Sequence, residues 1–299
     1  MTRIASIGEC MVELREGKTG HFTQGFGGDT LNTAVYLSRL GLETSFVTAL
    51  GDDPWSDAML AAWKAEGVDT SLVSRVPDRM PGIYAIQTDE AGERRFSYWR
   101  DNSPAREIFA HENTRLAQSL LQFEWIYFSG VTLSLYGPEG RLRLFDYLQR
   151  ANDAGAWIVF DTNFRKSVWP DRAQAHAAFR QAMAMADILF ASWDDMQGVF
   201  GPSGEALFNA ADCVEKVLKL PDASARLVWR GKEEIVAPLP VKKIVDTTAA
   251  GDSFAAAYLA ARIAKKSPLM AAAAGHRLAN KVIQQPGAII PRDKMPKGK

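Results

Sequence analysis

The sequence predicts an α/β fold in which a central, mainly parallel sheet is flanked by helices. Short apolar runs alternate with helical segments along the 299 residues, and several of these runs end in small or polar residues. Two β-rich stretches, at about 11–26 and 81–101, interrupt this alternation and predict a small second sheet. We expect one domain over residues 1–299, with the small sheet as a subdomain.

Six apolar runs have the length and composition of buried strands. They are Ile4–Ile7, Ser45–Leu50, Trp125–Ser129, Trp157–Phe160, Ile188–Ala191 and Arg226–Trp229. Small or polar residues follow most of these runs, as in Gly8-Glu9, Gly51-Asp52 and Asp161–Asn163. Ligands of open α/β sheets bind at the carboxyl ends of strands, so we expect these residues to rim one crevice.

Helix signals lie between the predicted strands. One helix should follow Asp53-Pro54 and stop near Gly67, and a second should fill Pro138–Ala154. A third should follow Pro170-Asp171. In the small sheet, Asp89–Gly92 is the predicted turn of a hairpin between the runs that begin at Tyr84 and Phe96.

Composition excludes several classes of function. The 35 basic and 35 acidic residues cancel, and the only basic cluster is a short tail at Lys294–Lys299, so we expect no nucleic-acid partner. The two cysteines and four histidines show no spacing typical of a disulfide framework or a metal site. No apolar run has the length of a membrane span, and the N-terminus does not resemble a signal peptide. We therefore expect a soluble cytoplasmic protein without a membrane partner.

The segment Asp246–Phe254 carries the strongest functional signal. Short side chains at Ala249, Ala250 and Gly251 precede an amphipathic helix, so an anion can approach backbone N–H groups that have no partner within the helix. Asp252 falls in the first turn of that helix. A carboxylate beside a phosphate is suited to accepting a proton from an attacking hydroxyl. A tight turn with an acidic first-turn residue is the alternative on local chemistry alone.

Two separated motifs resemble those of the ribokinase/phosphofructokinase-B family of sugar kinases. Asp246-Thr-Thr-Ala-Ala-Gly-Asp-Ser-Phe254 is similar to the family's D-T-x-G-A-G-D-x-F element. Gly25–Gly41, followed by Val47–Asp53, resembles the sugar-binding diglycine, the helix after it and a G-x-D turn. The resemblance spans nearly the whole chain and implies a ribokinase-like fold. In that fold the small sheet is a lid that covers the sugar and often pairs with another subunit; an ordinary β-hairpin excursion is the alternative.

The resemblance implies how the phosphoryl group is transferred. Asp252 would be the catalytic base, and the N–H groups of Ala249, Ala250 and Gly251 would bind the phosphate of ATP. Mg²⁺ would neutralise much of the phosphate charge, because a helix terminus contributes only about 0.3–2 kcal/mol. Asp195, three residues after Ser192, would hold Mg²⁺ through water, or would simply be a solvated first-turn acid. Ala249 stands where many relatives carry glycine.

Substrate residues are implied in the same way. Gly28, Asp29 and Asn32 would bind sugar hydroxyls, although Asp29 or Thr30 could also serve only as a helix cap. Tyr84 and Tyr98 would contact the sugar from the lid, or pack in the core. Within the family, the resemblance is greatest to kinases of 2-keto-3-deoxygluconate, a sugar acid whose carboxylate Arg100 and Arg165 would grip.

The nucleotide side is less well defined by the sequence. The resemblance places Asn163, Asn280 and Gly287 near the nucleotide. The family's K-x-G strand, expected after a helix that ends near Leu220, has no evident counterpart, since the chain passes directly to Arg226–Trp229. Either residues are omitted or ATP binding is rebuilt. We favour omission, because losing a central strand would expose the apolar faces of a parallel sheet.

These features predict an ATP- and Mg²⁺-dependent carbohydrate kinase that forms a homo-oligomer through its lid. Its expected reaction is phosphorylation of 2-keto-3-deoxygluconate at the terminal hydroxyl, which gives the 6-phosphate. Two alternatives stay open: a kinase for a neutral sugar such as fructose or ribose, and a catalytically silent sugar-binding relative. The gluconate and galactonate epimers are not distinguished.

Overall fold

The larger of two β-sheets lies at the centre of the molecule in the computed structural model, which describes residues 2–17, 20–88 and 94–296. Its strands are β1 (Arg3–Ile7), β4 (Glu43–Gly51), β5 (Val73–Val76), β8 (Trp125–Ser129), β9 (Trp157–Asp161), β10 (Ile188–Ser192), β11 (Glu215–Lys219), β12 (Ala225–Trp229) and β13 (Lys232–Val236). They pair in the order β13-β12-β11-β10-β9-β8-β1-β4-β5. All pairs are parallel except β11–β12 and β12–β13, which confirms the mainly parallel sheet.

The central strands are apolar on both faces because helices cover both faces of the sheet. The helices are α1 (Asp29–Arg39), α2 (Pro54–Ala65), α3 (Thr114–Leu120), α4 (Gly130–Leu135), α5 (Pro138–Asp153), α6 (Arg172–Met185), α7 (Trp193–Phe200), α8 (Gly204–Ala210), α9 (Ala250–Ile263) and α10 (Pro268–Val282). In β8, Ile126 and Phe128 point into the core beneath α3–α8, whereas Tyr127 points into the core formed with α1, α9 and α10.

The predicted helix signals are confirmed. Asp53 caps α2 by accepting hydrogen bonds from the N–H groups of Trp55 and Ser56, and Pro54 is the first helical residue. Pro138 likewise begins α5, and Asp171 caps α6. Within the described part of the chain, no helix is both long and apolar enough to cross a membrane.

The smaller sheet contains β2 (Met11–Glu16), β3 (Phe22–Gly27), β6 (Ile83–Thr88) and β7 (Arg94–Trp99), in the order β3-β2-β6-β7. The sequence therefore located these β-rich stretches and the hairpin between β6 and β7. The predicted turn at Asp89–Gly92 lies outside the described residues. The single-domain assignment, and a lid function for this sheet, stay predictions.

The expectation that a strand is missing near Leu220 was wrong. Residues Glu215–Lys219 form β11, which pairs with β10 on one side and β12 on the other, and the preceding helix α8 ends at Ala210. Because this segment contains charged residues, its sequence was interpreted as the end of a helix. Glu215 and Lys216 are buried because Glu215 binds Tyr258 and Arg262, while Lys216 donates to carbonyl groups at the end of α8.

Candidate active site

The carboxyl ends of the parallel strands meet the starts of α1 and α9 at one edge of the large sheet. Asp161 ends β9 and is paired in register with Ser129 at the end of β8, and Ser192 at the end of β10 is paired with Lys219 at the end of β11. Of the predicted site residues, Asp29, Asn32, Asn163 and Asp252 come together here. The strand ends that were expected to rim one crevice are therefore gathered at this edge of the sheet.

Asp252 lies in the first turn of α9, as predicted, and is partly buried. Its Oδ2 accepts a hydrogen bond of 2.8 Å from the Nδ2 of Asn32 in α1. Burial raises the pKa of Asp252 to about 8, and the negative charges of Asp29 and Asp161 act in the same direction. The Asn32 hydrogen bond and the positive charge of Arg165 oppose this rise. The carboxyl group is thus poised to bind a proton near neutral pH.

The turn before α9 has the backbone shape of an anion-binding site. Ala249 is the N-cap residue and has φ of 59°, in the left-handed region that costs a residue with a Cβ atom more than glycine. A Cβ at Gly251 would meet no atom within 4 Å, so the space beside this residue is open. Among the described residues, the N–H groups of Ala249 and Gly251 have no backbone partner, whereas that of Ala250 donates to Thr247 O at 3.2 Å. Two of the three predicted donors are therefore available.

Asp246 is buried and stabilises this turn through hydrogen bonds of its carboxylate. Its Oδ1 accepts from the backbone N–H and the hydroxyl of Thr248, and its Oδ2 accepts from the N–H of Gly287 at 3.0 Å. Arg15 of the small sheet places its Nη1 3.6 Å from the same Oδ2. Gly287, predicted on the nucleotide side, therefore supports the turn before α9.

Asn280 does not join the Asp252 cluster. Its side chain donates to the carbonyl groups of Leu239 and Pro240 and accepts from Gln284. It thus holds the loop between β13 and the turn before α9, and its contact with a nucleotide stays a prediction.

The start of α1 packs directly against the end of β1. Gly28 is the N-cap residue, and a Cβ there would lie 2.1 Å from the carbonyl oxygen of Glu9, so only glycine fits. Neither Asp29 nor Thr30 caps the helix, which removes that alternative. Asp29 instead accepts a hydrogen bond of 2.6 Å from Asn163 Nδ2, so its carboxylate faces the crevice.

A second group of acids lies beside β9 and α7. Burial, together with the charge of Asp195, raises the pKa of Asp161 to about 7, although a hydrogen bond from Tyr127 opposes the rise. Asp195 accepts from the hydroxyl of Thr162 at 2.7 Å, and its N–H is capped by Ser192. Asp195 is therefore bonded to the strand end and is not a freely solvated acid.

Arg100 and Arg165 occupy different environments. Arg100 follows β7, is 8% exposed and forms an ion pair with Glu9, whose side chain is 2% exposed. Arg165 is exposed, and its positive charge lowers the pKa of Asp252 against the effect of burial. The charge of Arg100 is thus neutralised by Glu9, whereas the charge of Arg165 acts on Asp252.

Two tyrosines of the small sheet lie side by side. Tyr84 is 9% exposed and donates its hydroxyl hydrogen to Glu13, whereas Tyr98 is 42% exposed. Their ring centroids are 6.0 Å apart. Burial raises the pKa of Tyr98, and Arg100 and Arg165 oppose that rise, so this face of the sheet is directed toward the arginines.

Three residues at the site were not singled out from the sequence. Glu9 was recognised only as a polar residue that follows a strand. Glu13 was not recognised, because the alternation of residues in β2 does not predict its hydrogen bond with Tyr84. Lys219 was obscured by the wrong helix assignment. It ends β11, and its positive charge lowers the pKa of Asp161.

The acidic residues suit Mg²⁺ better than a metal held by protein ligands alone. No group of three or more histidine, cysteine or acidic side chains within the described ranges is arranged to hold a metal ion. Mg²⁺ commonly keeps several waters and uses one or two carboxylates together with substrate phosphates. Asp195 at the crevice edge fits that requirement.

Comparisons with known proteins identify the family of the chain. Residues 1–295 match the pfkB family of carbohydrate kinases. A 2-dehydro-3-deoxygluconokinase from Dickeya dadantii is 41% identical, with 98% of each chain covered. The crystal structure of a 2-dehydro-3-deoxygluconokinase from Thermotoga maritima is 25% identical and has a TM-score of 0.84, covering 97% of this chain and 94% of that one.

A further solved structure shows the same fold. Aminoimidazole riboside kinase from Salmonella enterica, complexed with aminoimidazole riboside and an ATP analogue, has a TM-score of 0.83 at 22% identity. It covers 99% of this chain and 96% of that one. The predicted ribokinase-like fold is confirmed by these neighbours.

Proposed function

The chain belongs to the pfkB family of carbohydrate kinases, and we propose that it transfers the γ-phosphoryl group of ATP to the terminal hydroxyl of 2-dehydro-3-deoxygluconate. This substrate is also called 2-keto-3-deoxygluconate. Relatives named as kinases of this sugar acid reach 41% identity over nearly the full length. The related riboside kinase was solved with an ATP analogue, which supports ATP as the phosphoryl donor.

The observation that carries the proposal is the position of Asp252. Its carboxyl group, with a pKa of about 8, lies in the same helical turn as the open N–H groups of Ala249 and Gly251. A proton acceptor and an anion site are therefore adjacent, as phosphoryl transfer to an alcohol requires.

The reaction follows from this arrangement. The terminal hydroxyl oxygen attacks the γ-phosphorus of ATP and forms the new P–O bond, while its proton passes to Asp252. The bond between the γ-phosphorus and the β,γ-bridging oxygen breaks, and that oxygen leaves with ADP. The N–H groups of the turn stabilise charge on the transferring phosphoryl oxygens. Asp195 would hold Mg²⁺ through water, and the ion would supply further neutralisation of the phosphates.

Acid-sugar recognition is assigned to the two arginines. Because Glu9 already neutralises Arg100, the net positive charge for a substrate carboxylate comes from Arg165, while Arg100 adds directional N–H donors. Asp29, Asn32 and the backbone at Gly28 bind the sugar hydroxyls. Lys219 is assigned to the nucleotide side, because it lies at the same edge as Asp161 and Ser192.

The small sheet covers the sugar and joins two copies of the chain in this proposal. Tyr98 faces Arg100 and Arg165, and the ring of Tyr84 lies beside that of Tyr98. Closure of the sheet over the sugar would exclude water from the reaction. Aromatic side chains that stay exposed on this sheet provide the contact between copies.

ADP release on 2-dehydro-3-deoxygluconate, fructose and ribose tests the proposal. We expect turnover of the sugar acid alone, and Asp252→Asn should lower kcat by about 10²–10⁴-fold with the fold intact. Arg165→Ala and Arg100→Ala should each greatly reduce kcat/KM for the acid, since loss of one charged partner costs roughly 2–5 kcal/mol.

Three outcomes would contradict parts of this proposal. Full activity of Asp252→Asn removes the proposed base. Preferred turnover of fructose or ribose identifies a neutral-sugar kinase instead. Sugar binding without ADP release, even at high Mg·ATP, identifies a silent binding protein.

A further inference from the structure

Asn32 touches the proposed base directly, although the two residues are 220 positions apart in the sequence. Its side chain lies in the first turn of α1 and is only 5% exposed. Nδ2 donates to Asp252 Oδ2 at 2.8 Å, whereas Oδ1 is buried and has no hydrogen-bond partner among the described residues. One half of the amide group is therefore fixed by the base and the other half is unsatisfied.

The geometry of this contact is set by the packing of α1 against α9. The N–H of Asn32 bonds to Gly28 O at 2.8 Å, which fixes the residue in the helix. Its neighbour Thr33 approaches the backbone oxygen of Asp252 at 3.5 Å, but does not reach the carboxylate. Among the hydrogen bonds of the described residues, only that of the Asn32 amide group connects α1 to the Asp252 carboxylate.

We propose that Asn32 is a positioning residue for the base: its amide group fixes the orientation of the Asp252 carboxyl group and favours the ionised form that accepts a proton. This inference rests on the proposed kinase function. Because Nδ2 engages Oδ2, the other carboxylate oxygen is left for the attacking hydroxyl. The unsatisfied Oδ1 of Asn32 can accept a hydrogen bond from the sugar at the same time.

The negative charges around Asp252 disfavour its ionised form, so a hydrogen-bond donor such as Asn32 is needed to stabilise that form. Burial, and after it the negative charges of Asp29 and Asp161, raise the pKa of Asp252, while Asn32 and Arg165 lower it. The titratable and charged groups that face Asp252 belong to α1, β8, β9 and the segment after β9, and they are Asp29, Tyr36, Tyr127, Asp161 and Arg165. Of these, only Arg165 is a cation, so removal of the Asn32 amide group leaves the ionised base with one favourable neighbour.

The pH dependence of kcat for Asn32→Leu tests the inference. Leucine is close to asparagine in size and cannot donate a hydrogen bond. We expect the acid limb of the profile to move upward by about one pH unit, so that kcat falls about tenfold on the acid limb and recovers at high pH. Thr33→Val is the matched control, since it removes a hydroxyl group beside Asp252 without touching the carboxylate. Its pH profile should keep the midpoint of the unaltered enzyme.

A loss of kcat that is equal at every pH would overturn the inference, because it would mean that Asn32 acts only in packing. If Asn32→Leu does not fold, Asn32→Ala takes its place. Titration of the Asp252 carboxyl carbon by NMR must then show a higher midpoint than in the unaltered protein, and an unchanged midpoint refutes the inference. Failure of the kinase function is separate, because it appears as full activity of Asp252→Asn.

Discussion

At the scale of one residue, the raised pKa that suits Asp252 to catalysis also makes its ionised form unfavourable in the folded protein. Burial beside Asp29 and Asp161 raises the pKa of its carboxyl group to about 8, far above the value of about 3.9 for an unfolded chain. The folded protein therefore binds this proton more tightly than the unfolded chain does. Its contribution to stability is complete below about pH 4 and is lost as the pH rises toward 8.

We therefore predict that Asp252→Asn stabilises the protein as it inactivates it. Asparagine carries no charge to bury, so the gain in Tm over the unaltered protein should be larger at pH 8.5 than at pH 5.5. Thermal unfolding at the two pH values measures the difference. A gain that does not depend on pH, or a loss at pH 8.5, would show that the Asp252 carboxyl group is not destabilised by burial.

Single residues also show what the sequence could and could not predict at the site. Asp252 and Gly28 follow from local pattern, because a helix start and a close backbone approach have local signatures. The pairing of Glu9 with Arg100 does not, since two charged residues 91 positions apart carry no mark of their contact. The positive φ of Ala249 is likewise not predictable from this sequence alone. An alanine gives no sign of a left-handed backbone, and only the glycine that many relatives carry at this position points to one.

At the scale of elements, the two sheets are joined by a buried ion pair. Glu9 follows β1 of the large sheet, and Arg100 follows β7 of the small sheet. Among the ion pairs of the described residues, this pair alone has both side chains less than 10% exposed. A buried pair need not stabilise a fold, but removal of one partner leaves an uncompensated charge.

We predict that Glu9→Gln lowers the free energy of unfolding by about 3–5 kcal/mol, because Arg100 then stays buried without its partner charge. Adding Arg100→Met should recover part of that loss. Urea unfolding measures the three variants. Arg75→Gln is the control, since the Arg75–Asp57 pair is 35% and 69% exposed and should contribute no more than about 1 kcal/mol. Equal small effects of Glu9→Gln and Arg75→Gln would contradict this prediction.

The strands show why elements are predicted unequally from sequence. Runs such as Trp157–Phe160 are apolar on both faces and were recognised, although the observed strand extends to Asp161. β11 was missed because Glu215 and Lys216 are charged and yet buried, and their partners come from α8 and α9. Periodicity detects burial in apolar surroundings, but it does not detect burial that is compensated by distant partners.

At the scale of the whole molecule, the small sheet presents exposed aromatic side chains that a single chain leaves uncovered. Phe22, Phe96, Tyr98 and Trp99 are 42–62% exposed, and Trp99 is the most exposed of them. Phe22 lies on the edge strand β3, and the other three lie on the opposite edge strand β7. Exposed aromatic residues are typical of contacts between proteins. They support the proposed association of two copies through this sheet.

We predict that Trp99→Glu converts the oligomer to the monomer, because a charge at the contact would have to be desolvated. Sedimentation velocity at several concentrations measures the assembly state. Leu142→Glu is the matched control: Leu142 is 61% exposed on α5, away from the small sheet, and its replacement should leave the assembly unchanged. A monomeric unaltered protein would refute association through this sheet.

The hydrogen bonds of residues 287–290 have a consequence for variation near the C-terminus. The N–H of Gly287 donates to Asp246 in the turn before α9, and the hydroxyl of Tyr36 in α1 binds both Ala288 O and Ile290 N. This short stretch ties α1 to the turn that precedes α9. A cut, fusion or insertion placed before Gly287 would therefore act at the centre of the enzyme, whereas the same alteration beyond Ile290 would leave these ties in place.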